Sequence, residues 1–424
     1  MMLLNALLLL MSSFVAPSST KAVTSSNLRA AIIGDKSVIV TESLASPGIL
    51  TTVAGSQGSF EGMKVHGIAA TAAVIGDTNG VAVDGEGNIF LTTAHMILKV
   101  AVSTGLMTVV AGTGESGFSG DGALAISARL NGPQSVKLDS FGNIFVIDLM
   151  NDRIRKITMS TGIITTVAGD GSYLSTVDNV PATITGLSAP HGLAIDTFNN
   201  IYIADSGNSR VRKVTASTGI ITTIVGTGAR TSPALEVTAT STTLYYPTGV
   251  AIDISGNIFI ADSGSDSIYK VTVSTGLLKL VAGKQFAPGY NGDNIPALTA
   301  HLYGPRDIAL DSIGNIFITD LYNDRIRKIT ASTGIISTVA GAGATSSNFN
   351  SSRMVDCLPY DNTDNGKDAT SASLCNPRGV TVDMTGNIYF CDSGHRVVRK
   401  ITFNEGTPSL DLTPAPSFYD TCVI

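Results

Sequence analysis

Residues 304–330 read GPRDIALDSIGNIFITDLYNDRIRKIT. Three short apolar runs, IAL, NIFIT and RIRKI, alternate with two polar turns. The runs are rich in isoleucine, which suits a pleated strand better than a helix. The first turn is Asp-x-x-Gly-Asn (311–315). An aspartate side chain caps such a turn, and the glycine supplies a left-handed backbone at little cost. A second turn, LYNDR, returns the chain. STGIISTVAG (332–341) then adds a fourth run behind a third turn. The stretch predicts a four-stranded antiparallel sheet made of consecutive hairpins.

The pattern occurs six times. Its leading aspartates are Asp84, Asp139, Asp196, Asp253, Asp311 and Asp383, spaced by 55, 57, 57, 58 and 72 residues. The turn glycines are Gly87, Gly142, Gly256, Gly314 and Gly386, and the remaining copy has Asn199, the side chain that best tolerates a left-handed backbone. These aspartates and asparagines are read as turn residues, not acid catalysts. Six sheets that are apolar on both faces bury those faces by stacking around an axis. The fold class expected is all-β, a six-bladed β-propeller of four-stranded antiparallel blades. The sixth copy lacks its fourth run, and a spare one, GILTTVAG, stands at Gly48–Gly55. The N-terminal strand is therefore expected to complete the last blade and remove an open edge.

GPRDIALDSIGNIFITDLYNDRIRKIT and the STGIITTVAGTG-like units resemble extended NHL repeats, across roughly residues 47–405. The resemblance implies the propeller. It leaves function open, because similar propellers include lyases, RNA-binding proteins, extracellular sensors and adhesion scaffolds.

Charged residues are 14% of the 424, the net charge is −6, and no basic block occurs. A nucleic-acid partner is disfavoured, since phosphate binding needs a concentrated Lys/Arg face. Leu3–Val15 is an apolar stretch of leader length followed by small residues. The expected organisation is a signal peptide over 1–22, a linker over 23–46, the propeller over 47–406 and a tail over 407–424. The expected product is extracellular, monomeric and without a membrane span in the mature chain. The terminal TCVI does not fit a prenylation signal.

Alignment of the blades places one residue per blade at the channel mouth: Asn79, Gln134, His191, Thr248, Arg306 and Arg378. In lyases that resemble this family, histidines hold zinc at this position in three blades. Here His191 stands alone, and His66, His95, His301 and His395 fall elsewhere. Catalytic zinc needs about three converging ligands, so no metal, cofactor or catalytic residue is assigned. Calcium needs acidic oxygens, and the ring has none; Asp307 follows one residue later. Arg306 and Arg378 suit a carboxylate, sulfate or acidic sugar through forked hydrogen bonds. The competing reading pairs them with Asp320 and Asp392. The second turns repeat an Asp and an Arg as Asp148…Arg153, Asp205…Arg210, Asp320…Arg325 and Asp392…Arg396, read as structural bridges. Blades one and four break that pattern, at Thr93 and Ser267, which leaves open either room for a ligand or relaxed constraint.

The Asp-x-x-Gly-Asn and STG turns share one face, expected to be a structural underside. The other face carries inter-blade connections of 20, 20, 20, 21 and 35 residues, where binding is expected. Two acidic, glycine-rich pieces there, GFSGDGA and GYNGDN, lack calcium-loop spacing and are read as structural connections. The longest connection holds Cys357, Cys375 and the glycosylation acceptor Asn350. The preferred disulfides are Cys357–Cys375 and Cys391–Cys422; the alternative leaves Cys391 a small buried thiol.

The function expected is a secreted ligand- or protein-binding scaffold working through its long-loop face. The partner would be a protein, a glycan or a small anion. A lyase or hydrolase around His191, Arg306 and Arg378 is the alternative.

Overall fold

A computed structural model describes residues 29–33, 36–40, 48–56, 65–173, 177–343 and 363–403. The stretches read as a leader and a tail, Asn350, Cys357 and Cys422 lie outside the described residues. Two units are distinct. In one, Arg29–Ile33 and Lys36–Val40 pair as an antiparallel hairpin within the stretch read as a linker. The other, Pro47–Phe403, is the propeller.

Each blade runs from an inner strand outward. Blade five is representative, with strands Pro305–Leu310, Ile316–Asp320, Arg325–Ile329 and Ile335–Ala340. The turns form as the sequence dictates. In every blade the leading aspartate accepts hydrogen bonds from the backbone two and four residues on, as Asp311 does from Ile313 N at 3.1 Å and Asn315 N at 2.8 Å. Asn315 then accepts from Ala331 N in the STG turn at 2.9 Å, so one side chain fastens two hairpins. Gly314 has φ +86° and its counterpart Asn199 has φ +61°. Over the second strand's aromatic residue lies a lysine of the third in all six blades, from Lys99–Phe90 to Lys400–Tyr389.

The ring closes as expected. Ile49–Ala54 pairs antiparallel with Val397–Thr402 and supplies the sixth blade's outer strand. Leu50, fully buried there, packs with Ile401 and Phe390. Neighbouring blades share apolar cores, for example Tyr202 and Val211 of blade three against Val250 and Ile260 of blade four. Each buried aliphatic side chain contributes roughly 1.5–3 kcal/mol. Blade one's inner strand needs glycine where it meets blade two: a Cβ on Gly80 would lie 2.2 Å from Gln134 O.

The connections between blades are more structural than their length suggests. Each runs to the outer edge of the next blade and bridges it, as Ile295–Pro296 does to Ile336 and Ile335. Asp121, Asp178 and Asp293 in these connections face Arg155, Arg212 and Arg327 at 2.8, 2.8 and 3.1 Å. In GFSGDGA and GYNGDN, Phe118 and Tyr290 also stack on arginines of the third strands. These pieces are counterion loops for buried arginines.

This corrects the expected bridges. The partner of Asp148 is Arg155 at 3.2 Å, not Arg153. Asp205, Asp320 and Asp392 likewise pair with Arg212, Arg327 and Arg399. These second arginines are buried within the third strand, while Arg153, Arg210 and Arg325, at its first position, donate to backbone carbonyls and Arg396 pairs with Asp77. The exceptional blades hold no vacancy at these positions. Leu98 and Tyr269 take the arginine's place, and Thr93 and Ser267 are buried with them.

Candidate functional site

The six aligned residues do converge. Asn79, Gln134, His191, Thr248, Arg306 and Arg378 line one cavity on the long-loop face, together with Ser135, Asp307 and Gly379. Each sits second in an inner strand whose outer side is the only one paired, so the ring faces the axis. The cavity measures about 20 Å³. That is room for about one water molecule.

Arg306 closes it. Its guanidinium reaches from blade five to Gln134 Oε1 of blade two, 3.2 Å away on the opposite side of the ring. Arg378 donates to Asn79 Oδ1 at 2.5 Å. Both arginines are thus held by neutral amides. The expected alternative pairing with Asp320 and Asp392 does not form, because Arg327 and Arg399 occupy those carboxylates. Asp307 is the nearby acid, and its oxygens accept from Ile308 N and Val380 N at 2.9 and 3.0 Å. Burial, reinforced by Arg378, pushes the Arg306 pKa down to about 10.

His191 is held neutral, its pKa forced well down by burial and then by Arg306 and Arg378. Its Nδ1 lies 2.9 Å from Ala189 O and 3.1 Å from Ser206 Oγ. A carbonyl can only accept, so Nδ1 carries the proton and cannot take one from Ser206. Ser206 is fully buried and donates to Pro247 O. The pair does not form a nucleophile and base. Among the described residues no group of three His, Cys, Asp or Glu side chains is placed to hold a metal ion. The mouth gathers two arginines, neutral polar side chains, one neutral histidine and one acid, Asp307.

Arg378 belongs to two sites. A second pocket of about 120 Å³ opens beside the mouth and is lined by Asp77, Asn376, Arg378, Ser393, Gly394 and Arg396. Alignment of the repeats points to the ring but not to this pocket, which is built from a second turn and two connections.

Among the described residues Cys391, whose expected partner Cys422 lies outside them, is a free thiol. It is fully buried at the slot filled by Ala204, Ala261 and Thr319 in other blades, and burial pushes its pKa up to about 12.

The NHL repeat family model matches residues 187–214, three strands of blade three. The five other blades repeat that unit around a closed ring. The chain is an NHL-repeat six-bladed propeller. The NHL propeller is 27% identical over 318 residues to Protein SUPPRESSOR OF QUENCHING 1, chloroplastic, of Arabidopsis thaliana, covering 72% of this chain and 28% of that protein. It is 28% identical over 252 residues to Teneurin-1 of Homo sapiens, covering 52% of this chain and 9% of that protein. It therefore spans a minor part of each relative's length. In fold it matches an auxiliary nutrient binding protein from Bacteroides thetaiotaomicron, with a TM-score of 0.58 and 15% identity over 84% of this chain and 77% of that one.

Proposed function

We propose that this NHL propeller is a secreted binding module whose long-loop face takes an anionic ligand or partner, gripping its carboxylate or sulfate with Arg306 and Arg378. One observation carries the reading. These two guanidiniums, partly buried and near one another, form no ion pair among the described residues. A buried cation without a counterion is costly, and an incoming anion relieves that cost. The anion rests on the mouth, since the cavity beneath is too small for it, and its body extends into the pocket that shares Arg378. A polar body such as an acidic sugar matches the Asn376, Ser393 and Arg396 lining. Use of the same fold by a nutrient binding protein is consistent with this role. The apolar stretch Leu3–Val15 supports export, and a Cys357–Cys375 disulfide is proposed to cross-link the longest connection.

The test is a glycan array bearing uronic-acid and sulfated glycans. Retention of the wild type, lost in the Arg306→Ala/Arg378→Ala double variant, supports the reading. Equal retention of both proteins removes the arginine pair from it.

A further inference from the structure

The face read as a structural underside carries the larger cavity. The far halves of the six inner strands open there into a vestibule of about 240 Å³. Five strands place a small residue at one level of its wall: Ala82, Ala194, Ala251, Ala309 and Thr381. The sixth places Lys137, the only charged side chain in the lining. The next level is aliphatic throughout, with Leu138, Ile195 and Ile252 among its members. Each inner strand is paired on one side only, so backbone N–H and C=O groups also edge the space.

Lys137 makes no ion pair among the described residues. The acid closest in sequence, Asp139, spends one oxygen on Phe141 N and Asn143 N at 2.9 and 2.8 Å, and the other on Asn143 Nδ2 at 2.8 Å. The other lysines of this face differ. They lie over aromatic rings in every blade, whereas Lys137 occupies a slot that is otherwise alanine or threonine. Beyond Leu138 and Ile195, the turn tips Phe141 and Phe198 are 77% and 79% exposed. The vestibule thus joins one unpaired ammonium to aliphatic walls and apolar turn tips.

We propose that this vestibule is a second binding site, distinct from the arginine mouth, for a small organic acid with one negative group and a compact apolar body. The acid group meets the Lys137 ammonium, and the apolar body lies against the aliphatic wall. The walls exclude a bare inorganic anion, which would gain nothing from them, and a cation, which Lys137 repels. Most ligand sites combine these parts: apolar walls and a few polar groups that fix orientation.

The test uses 4-tert-butylbenzoate and its neutral counterpart, 4-tert-butylbenzyl alcohol, with calorimetry on the full chain. The wild type is expected to bind the acid one-to-one and the alcohol at least tenfold more weakly. Lys137→Met, which keeps the apolar stem, is expected to bring the acid down to the alcohol's level, and Lys137→Arg to restore it. Ala251→Leu, which narrows the wall, is expected to weaken both ligands. Arg306→Ala/Arg378→Ala, at the other end of the channel, is expected to leave both unchanged. No binding by the wild type, acid binding that survives Lys137→Met, or loss of binding in the double-arginine variant would each overturn the proposal. Thermal melts of all variants confirm that each is folded.

Discussion

Arg306 of blade five donates to Gln134 Oε1 of blade two, 3.2 Å away, and so bars the channel from one wall to the other. The acceptor is an amide, which adds no charge against the arginine's beyond that of the nearby Asp307. Gln134→Glu turns that acceptor into a carboxylate of the same shape. Anion binding at the mouth is expected to fall at least tenfold, while the thermal midpoint holds or rises. Titration with the glycan selected on the array checks this; unchanged affinity would show that Arg306 does not meet the anion.

Arg327 joins Asp320 within the blade to Asp293 in the connection. Arg327 and Asp320 are fully buried, whereas Asp293 is 30% exposed. Removing one member of a buried pair costs about 3–5 kcal/mol, while a partly exposed member is worth about 0–1 kcal/mol. Arg327→Met is therefore expected to destabilise strongly and Asp293→Asn weakly, read by urea denaturation. Burial raises the Asp320 pKa to about 6 despite Arg327, and loss of the arginine raises it further. The Arg327→Met deficit is expected to shrink at pH 5, where Asp320 takes up a proton.

The turn chemistry was legible in sequence because it is local. Asp311, Gly314 and Asn315 sit within one hairpin, and their spacing alone specifies the bonds they make. Closure was legible too, since a blade short of one strand and a spare strand at the other end imply each other. The ring was legible by alignment. What it does was not, because Arg306 and Gln134 meet across 172 residues of chain. Proximity in sequence points from Asp148 to Arg153, whereas the fold buries Arg155 against that carboxylate and leaves Arg153 on a backbone carbonyl. Lys137 stands out as a misfit among alanines, but only the ring geometry shows that this slot lines a cavity. Cys391 shows the same limit: four cysteines invite pairing, and only the fold shows that this one is a fully buried side chain.

Asp266 gives blade four a pH signature. Burial pushes its pKa to about 6; the Gly304 N–H at 3.0 Å opposes this, and the nearby Asp262 adds to it. The folded state thus holds a proton that the unfolded chain releases near its ordinary carboxylate pKa. The contribution is full below about pH 4 and is lost as pH rises through about 6, by on the order of 2 kcal/mol. Asp266→Asn keeps an acceptor for Gly304 and removes the charge. The variant is expected to gain stability relative to wild type between pH 4 and 7, measured by denaturation at several pH values.

The closing strand tests the ring. Leu50 is fully buried among residues of the sixth blade. Leu50→Ala is expected to cost about 2–5 kcal/mol. Hydrogen exchange is expected to quicken first in Ile49–Ala54 and Val397–Thr402, the paired strands of the seam. Uniform loss of protection around all six blades would contradict a seam held by this strand.

The most direct measurement is calorimetric titration of the full-length protein with an array-selected acidic glycan, repeated with Arg306→Ala/Arg378→Ala. Binding by the wild type and at least a hundredfold loss in the folded double variant is the result predicted. Equal affinity in the two proteins would contradict an anion site at the channel mouth.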